Sequence, residues 1–216
     1  VKILVCFSFA VVCGRWCFLR AKSDIRRQRE LNHTFAEAHI TDSSVMRSVV
    51  PLLCGGIVSA YALRETSTLL MVTCTACVVT GIRASLVDID THTIPRKMML
   101  SAIAFMLALL GLASFLVEGV SLVNVLLGGT SSWLLMRLLE LVSRGDIGHA
   151  DVVLSGYFGL FLGSVDLAAI PIALFAGFVV AGVVALVMIA TKQMTRHSHL
   201  PFGPFLFVGM VVAVLR

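Results

Sequence analysis

Charge is what this sequence has least of. Only 13% of its 216 residues are Asp, Glu, Lys or Arg, against about 25% in soluble domains. Hydrophobic residues make up 58% and lie in long uncharged runs, which excludes an ordinary soluble domain. Long polar stretches are scarce too. The one real composition shift is the mixed-charge segment 20–47, too short for a separate soluble catalytic domain. Internal repeats and low-complexity tracts are missing, so one membrane domain is the economical reading.

Cysteine is present six times but in the wrong places for a disulfide framework. Cys6, Cys13, Cys54, Cys74 and Cys77 lie inside apolar runs and Cys17 at the edge of one, where cysteine acts as a small buried hydrophobe. Cys74-Thr-Ala-Cys77 has metal-ligand spacing, yet no partner pair follows. No metal is expected.

At about 20 apolar residues per spanning helix, the length allows about seven spans, one of them short. The expected class is therefore all-α, a polytopic transmembrane helix bundle. The apolar runs are 3–14, 48–63, 66–82, 98–117, 119–136, 152–165, 167–191 and 200–215. Runs 98–117 and 167–191 meet the length criterion unaided, whereas 152–165 is a thin span or a helix packed inside the bundle. The first run, followed directly by Arg15 and Arg20, reads as a retained span rather than a signal peptide. The opening Val1 fits an alternative start codon or a truncated N-terminus. Residues 1–47 thus comprise the first span and a polar cytoplasmic segment, and 48–216 a continuous membrane-embedded bundle.

The net charge of +5 has a topological explanation rather than a nucleic-acid partner. Alternating the spans puts fourteen of the 17 Lys and Arg residues on one side, including Arg20–Arg29, Arg83, Arg96, Lys97, Arg137, Arg144, Lys192 and Arg196, and leaves Lys2, Arg64 and Arg216 on the other. The basic side is expected to be cytoplasmic.

Carboxylates inside or at the edge of a membrane are costly, so each needs a reason. Of twelve, seven sit in polar segments or loops, and Glu140 has Arg137 and Arg144 at helical spacing for an ion pair. Asp88, Asp90, Asp146 and Asp151 remain. Asp88 and Asp90 are two apart, so on a continuing helix they point to different faces, and Pro95 opens the next helix. Asp151 follows Gly148-His149-Ala150 at the same membrane face as Asp88. It suits either a helix N-cap or a paired carboxylate working with Asp88.

Asp88 with Ile94-Pro95, then Gly148-His149-Ala150-Asp151, then Leu200-Pro201-Phe202-Gly203-Pro204-Phe205 resemble, in the same order, the motifs of the type IV prepilin peptidase family over roughly residues 81–210. The resemblance implies an aspartyl endopeptidase of the bacterial cytoplasmic membrane, removing the short basic leader from prepilins or pseudopilins at the cytoplasmic face. It carries the catalytic roles to Asp88 and Asp151. Asp90, Pro95, Gly148, His149, Ala150, Pro201, Gly203 and Pro204 become candidate substrate-binding or site-shaping residues, with Asp90 and Asp146 positioned to receive a positive leader. Membrane lipid and the prepilin are the expected partners.

Two departures stand out. Ala150 replaces the second glycine of Gly-x-Gly-Asp, where a positive backbone dihedral would strain alanine, and Val153 replaces a lysine common two residues after the aspartate. Segment 20–47 has no cysteine, hence not the family's paired Cys-x-x-Cys module, and His33 and His39 read as exposed. No cofactor is expected, S-adenosylmethionine entering only if the chain also methylates. The competing readings are a proton- or ion-coupled transporter binding its ion at Asp88 and Asp151, and a catalytically inactive assembly subunit.

Overall fold

The computed structural model describes residues 2–31, 44–65, 67–143, 147–192 and 201–216. Eight helices and no strand are found among them: α1 (Lys2–Leu31), α2 (Ser44–Ala62), α3 (Thr68–Thr91), α4 (Arg96–Leu116), α5 (Leu122–Val142), α6 (His149–Val165), α7 (Ala169–Ala190) and α8 (Gly203–Leu215). Six are long and apolar enough to cross a membrane, and α6 and α8 are shorter apolar helices. The all-helical class therefore holds, with six long helices and two short ones. The protein is an integral membrane protein by the length and apolarity of these six.

Two boundaries differ from the sequence expectation. Helix α1 does not stop where the charges begin but runs on to Leu31, because Ala, Lys, Arg, Gln, Glu and Leu are all good helix formers and water can solvate their polar ends. Arg20, Arg26 and Arg27 therefore ride on a helical extension. Helix α4 starts one residue later than expected, with Pro95 as its N-cap. The expected exposure of His33 and His39, the Arg144 partner of Glu140, and Asp146 all lie outside the described residues.

The bundle is organised around α3. Of its apolar window, 78% is buried in the protein, against 17–39% in the other five long helices, and it touches α1, α2, α4, α6 and α8. Short α6 is the other enclosed element, buried almost continuously from Asp151 to Ser164. The outer helices turn large apolar side chains outward, such as Phe115, Phe175 and Leu186, as a lipid-facing surface requires. The cysteines behave as small hydrophobes: Cys17, Cys54, Cys74 and Cys77 are buried and Cys6 and Cys13 partly so, all as free thiols.

Close backbone approach fixes α6 against α5. A Cβ on Gly128 would stand 2.4 Å from the Gly159 carbonyl oxygen, and one on Gly163 would stand 2.4 Å from that of Asn124. Small residues let helices approach in this way where lipid supplies no hydrophobic drive for association. Ser132 Oγ adds a cross-helix hydrogen bond, donating to the Ser155 carbonyl at 2.9 Å. On the far side of α6, the Tyr157 hydroxyl donates to the Ala76 carbonyl of α3 at 3.1 Å.

The two ends of the bundle carry different polar groups. At one end Arg64 donates to the Arg216 main-chain oxygen and Arg216 pairs with Asp166. At the other, Arg83 of α3 pairs with Asp24 of α1 at 2.5 Å, and Glu140 lies between Arg137 at 2.5 Å and His149 Nδ1 at 3.5 Å. This is the sorting of ends that alternating spans require.

The α5–α6 contact yields a test. Gly159→Ala places a methyl 2.4 Å from the Gly128 oxygen and 2.6 Å from Ser132 Cβ, and is expected to destabilise the protein by about 1–3 kcal/mol. Gly111→Ala in α4, where an added Cβ meets nothing within 4 Å, should be neutral or stabilising by up to about 1 kcal/mol. Thermal unfolding of the two variants in one detergent distinguishes them.

Candidate functional site

The two enclosed helices carry the two candidate carboxylates. Asp88 sits in the last turn of α3 and Asp151 in the first turn of α6; both are buried. They stand within electrostatic range of each other. The sequence expectation of two carboxylates from separate helices at one end of the bundle is therefore met in space.

The end of α3 is shaped locally. His92 adopts a left-handed backbone, φ 51°, and its N–H bonds the Asp88 carbonyl at 2.8 Å, closing the helix by an αL cap. The Thr91 hydroxyl donates back to the Val87 carbonyl at 2.7 Å. After three further residues α4 begins.

Helix α8 is pinned to this end. The amides of its first turn can be traced one by one: Pro204 has none, while those of Phe205 and Leu206 bond the Phe202 carbonyl at 3.1 and 3.2 Å. The remaining one, Gly203 N–H, donates to Asp88 Oδ2 at 2.9 Å. Phe202, the residue in the N-cap position, supplies no side-chain bond. Asp88 thus caps α8 from a different helix, with the positive end of the α8 dipole facing its carboxylate. A Cβ on Gly203 would lie 2.9 Å from Asp88 Oδ2 and 3.3 Å from Asp88 Cβ, so only glycine lets the carboxylate come this close without displacement. Pro201 precedes this contact half-buried.

Asp151 is not the N-cap of α6. Gly148 holds that position, which places His149, Ala150 and Asp151 in the first turn. Asp151 N–H bonds the Gly148 carbonyl at 3.0 Å, and its carboxylate reaches back toward the Gly148 N–H, in the manner of an acidic third residue of a helix. Its second oxygen, Oδ1, is buried without a hydrogen-bond partner among the described residues. A buried carboxylate oxygen of this kind demands a proton, a water or a ligand.

One expectation needs correction. Ala150 is not strained: it is an ordinary helical residue, and among the described residues the positive-φ non-glycine ones are His92 and Lys192. Its methyl packs against the hydrophobic core, so the turn accommodates alanine. Asp90 is buried in the last turns of α3, as Asp88 and Asp151 are buried in theirs. Pro95 is half-buried at the start of α4, Gly148 and His149 are exposed, and Pro204 follows Gly203 into α8.

Sequence reasoning had missed the bond from Gly203 to Asp88. Its signal was available, since a Gly-Pro pair opening a helix leaves one amide to be matched from elsewhere. The Arg137–Glu140–His149 cluster beside the first turn of α6 was visible only in part.

Part of the chain is similar to a known protein. The "Prepilin leader peptidase/N-methyltransferase" of Legionella pneumophila is 30% identical over 83 residues, which cover 38% of this chain and 28% of that relative. The chain is thus distantly similar to an enzyme of that description. No protein-family model matches the chain, and no solved structure matches it.

The backbone at Ala150 generates a direct test. Ala150→Gly should relieve nothing and instead cost about 0.5–1 kcal/mol through lost helix propensity, read as a lower unfolding temperature in detergent. A rise in stability would mean that the alanine is strained after all.

Proposed function

We propose that this protein is a membrane aspartyl endopeptidase of the type IV prepilin peptidase family, cleaving the short basic leader from prepilins or pseudopilins at the cytoplasmic face of the bacterial cytoplasmic membrane. The observation that carries the reading is the burial of Asp88 and Asp151, from two enclosed helices, within electrostatic range of each other. The local similarity to a prepilin leader peptidase supports it, and the density of Lys and Arg at this end of the bundle supports the cytoplasmic orientation.

In the proposed mechanism one of the two buried carboxylates is ionised and the other carries a proton. In the proposed reaction the ionised carboxylate takes a proton from water as its oxygen attacks the scissile carbonyl carbon. The protonated partner gives its proton to the carbonyl oxygen. The tetrahedral adduct then collapses, the C–N bond breaks and the leaving nitrogen receives a proton from the dyad. The Gly203 N–H fixes the Asp88 oxygen that it binds, and Asp151 Oδ1 has no hydrogen-bond partner among the described residues. This chemistry draws on no cofactor, and the proposal does not extend to methylation.

An ion-coupled transporter is less favoured, because such a site belongs near the bilayer midplane whereas both carboxylates occupy helix-end turns. An inactive assembly subunit gives a distinct result in the test below.

The test is leader cleavage from a prepilin by the purified protein. Asp88→Asn and Asp151→Asn should each abolish cleavage while the protein remains inserted and folded, and Asp90→Asn should cost far less. Gly203→Ala, which pushes a methyl against the Asp88 carboxylate, should lower kcat by about tenfold or more, the equivalent of about 1.4 kcal/mol. Cleavage retained by Asp88→Asn would remove it from the mechanism, and no cleavage by the unaltered chain would favour the assembly-subunit reading.

A further inference from the structure

A second feature of the basic end lies outside the carboxylate pair. A cavity of about 450 Å³ opens between α1, the end of α3 and the start of α4, lined by Asp24, Arg27, Arg83, Arg96, Lys97 and Met98 among others. Its size suits a small ligand or headgroup. The lining residues include four cations and one carboxylate, and that carboxylate, Asp24, is taken by Arg83 in a two-pronged bond, with Nε at 2.8 Å and Nη2 at 2.5 Å. The charges of Arg27, Arg96 and Lys97 are therefore not balanced within the lining. All three side chains are exposed, as a site filled from outside requires.

Backbone polarity adds to the side chains. Pro95 gives α4 no side-chain cap, and Met98 and Met99 already bond the Pro95 carbonyl at 3.0 and 3.2 Å. The amides of Arg96 and Lys97 at the positive end of a 21-residue helix thus face the same region. The wall is not wholly polar: Met98 is buried, and Leu100 and Phe105, farther along α4, are exposed apolar residues facing away from the protein core. A cationic recess at a helix end, leading onto a lipid-facing apolar helix, matches a molecule with a phosphate at one end and acyl chains at the other.

We propose that the recess between α1, α3 and α4 binds the phosphate of an anionic phospholipid headgroup, with Arg27, Arg96 and Lys97 as its cationic contacts and the acyl chains lying along α4. Arg83, held by Asp24, forms the rigid back of the site. The guanidinium groups suit a phosphodiester because each offers two parallel donors. The site does not depend on what Asp88 and Asp151 do.

The full chain, reconstituted in phosphatidylcholine bilayers, tests this with spin-labelled phosphatidylglycerol and spin-labelled phosphatidylcholine as probes. Electron paramagnetic resonance reads the immobilised fraction of each. Phosphatidylglycerol should be preferred by about tenfold at one site, given three cations not balanced within the lining. The triple variant Arg27→Gln, Arg96→Gln, Lys97→Gln should bring the ratio to within about twofold, with circular dichroism verifying the fold. Arg20→Gln, on the same helix but stacked over Trp16 at 5.2 Å and outside the cavity, should leave the preference intact. Arg27→Lys with Arg96→Lys should retain most of it. A preference that survives in the triple variant, or one that is absent from the unaltered chain, overturns the proposal. Calorimetric titration of inorganic phosphate into the detergent-solubilised protein should give no saturable heat. Saturable phosphate binding lost in the triple variant, without any lipid preference, would assign the recess to a soluble phosphate and overturn the lipid headgroup.

Discussion

The structure depends on one amide that its own helix cannot satisfy. An apolar helix ending inside a bundle must find partners for its first N–H groups, since neither lipid nor neighbouring side chains readily supply them. In α8 the sequence Phe202-Gly203-Pro204 reduces the problem to a single N–H, and Asp88 accepts it. That bond joins the start of α8 to the end of α3. Helix α8 is in turn set against α7 by close backbone contact, where a Cβ on Gly209 would stand 2.1 Å from the Ala173 oxygen. The position of the Asp88 carboxylate is thus shared among three helices rather than left to one side-chain rotamer.

Burying carboxylates is expensive, and the architecture meets the expense in an ordered way. The carboxylates lie in the two most enclosed helices, α3 and α6, and each faces the amide end of a helix: Asp88 that of α8, Asp151 that of its own α6. Glycines and serines of α5 and α6 allow the approach that keeps α6 in the interior despite its 17 residues. A short helix here is an advantage, because its first turn ends at the level of the last turn of α3 instead of extending past it.

The same end of the molecule holds two opposite electrostatic features. The carboxylates are enclosed by helices, while Arg27, Arg96 and Lys97 line an open recess beside them. The first is acidic and enclosed, the second basic and open, and Pro95 at the start of α4 lines the second. The local identity to a prepilin leader peptidase covers 38% of the chain, so the geometry of the carboxylates carries the larger part of the functional argument.

The sequence by itself determined the solvent, the class and the candidates. Uncharged runs of about 20 residues admit little but membrane helices, and carboxylates at the edges of such runs come down to Asp88, Asp90, Asp146 and Asp151, of which the family resemblance picks Asp88 and Asp151. It misplaced what depends on neighbours. The charged continuation of α1 gave no apolar period to follow, and no glycine or asparagine marks the left-handed close of α3 at His92. Asp88 and Asp90 point to different faces of α3, yet both are buried because protein covers most of that helix. Ala150 looked strained because a motif departure implies a special dihedral, whereas the turn is simply the first turn of a helix. Only the tertiary structure could decide that Asp88 caps α8, because the amide and its acceptor are 115 residues apart and the need for a partner arises only once the helices have packed and excluded water.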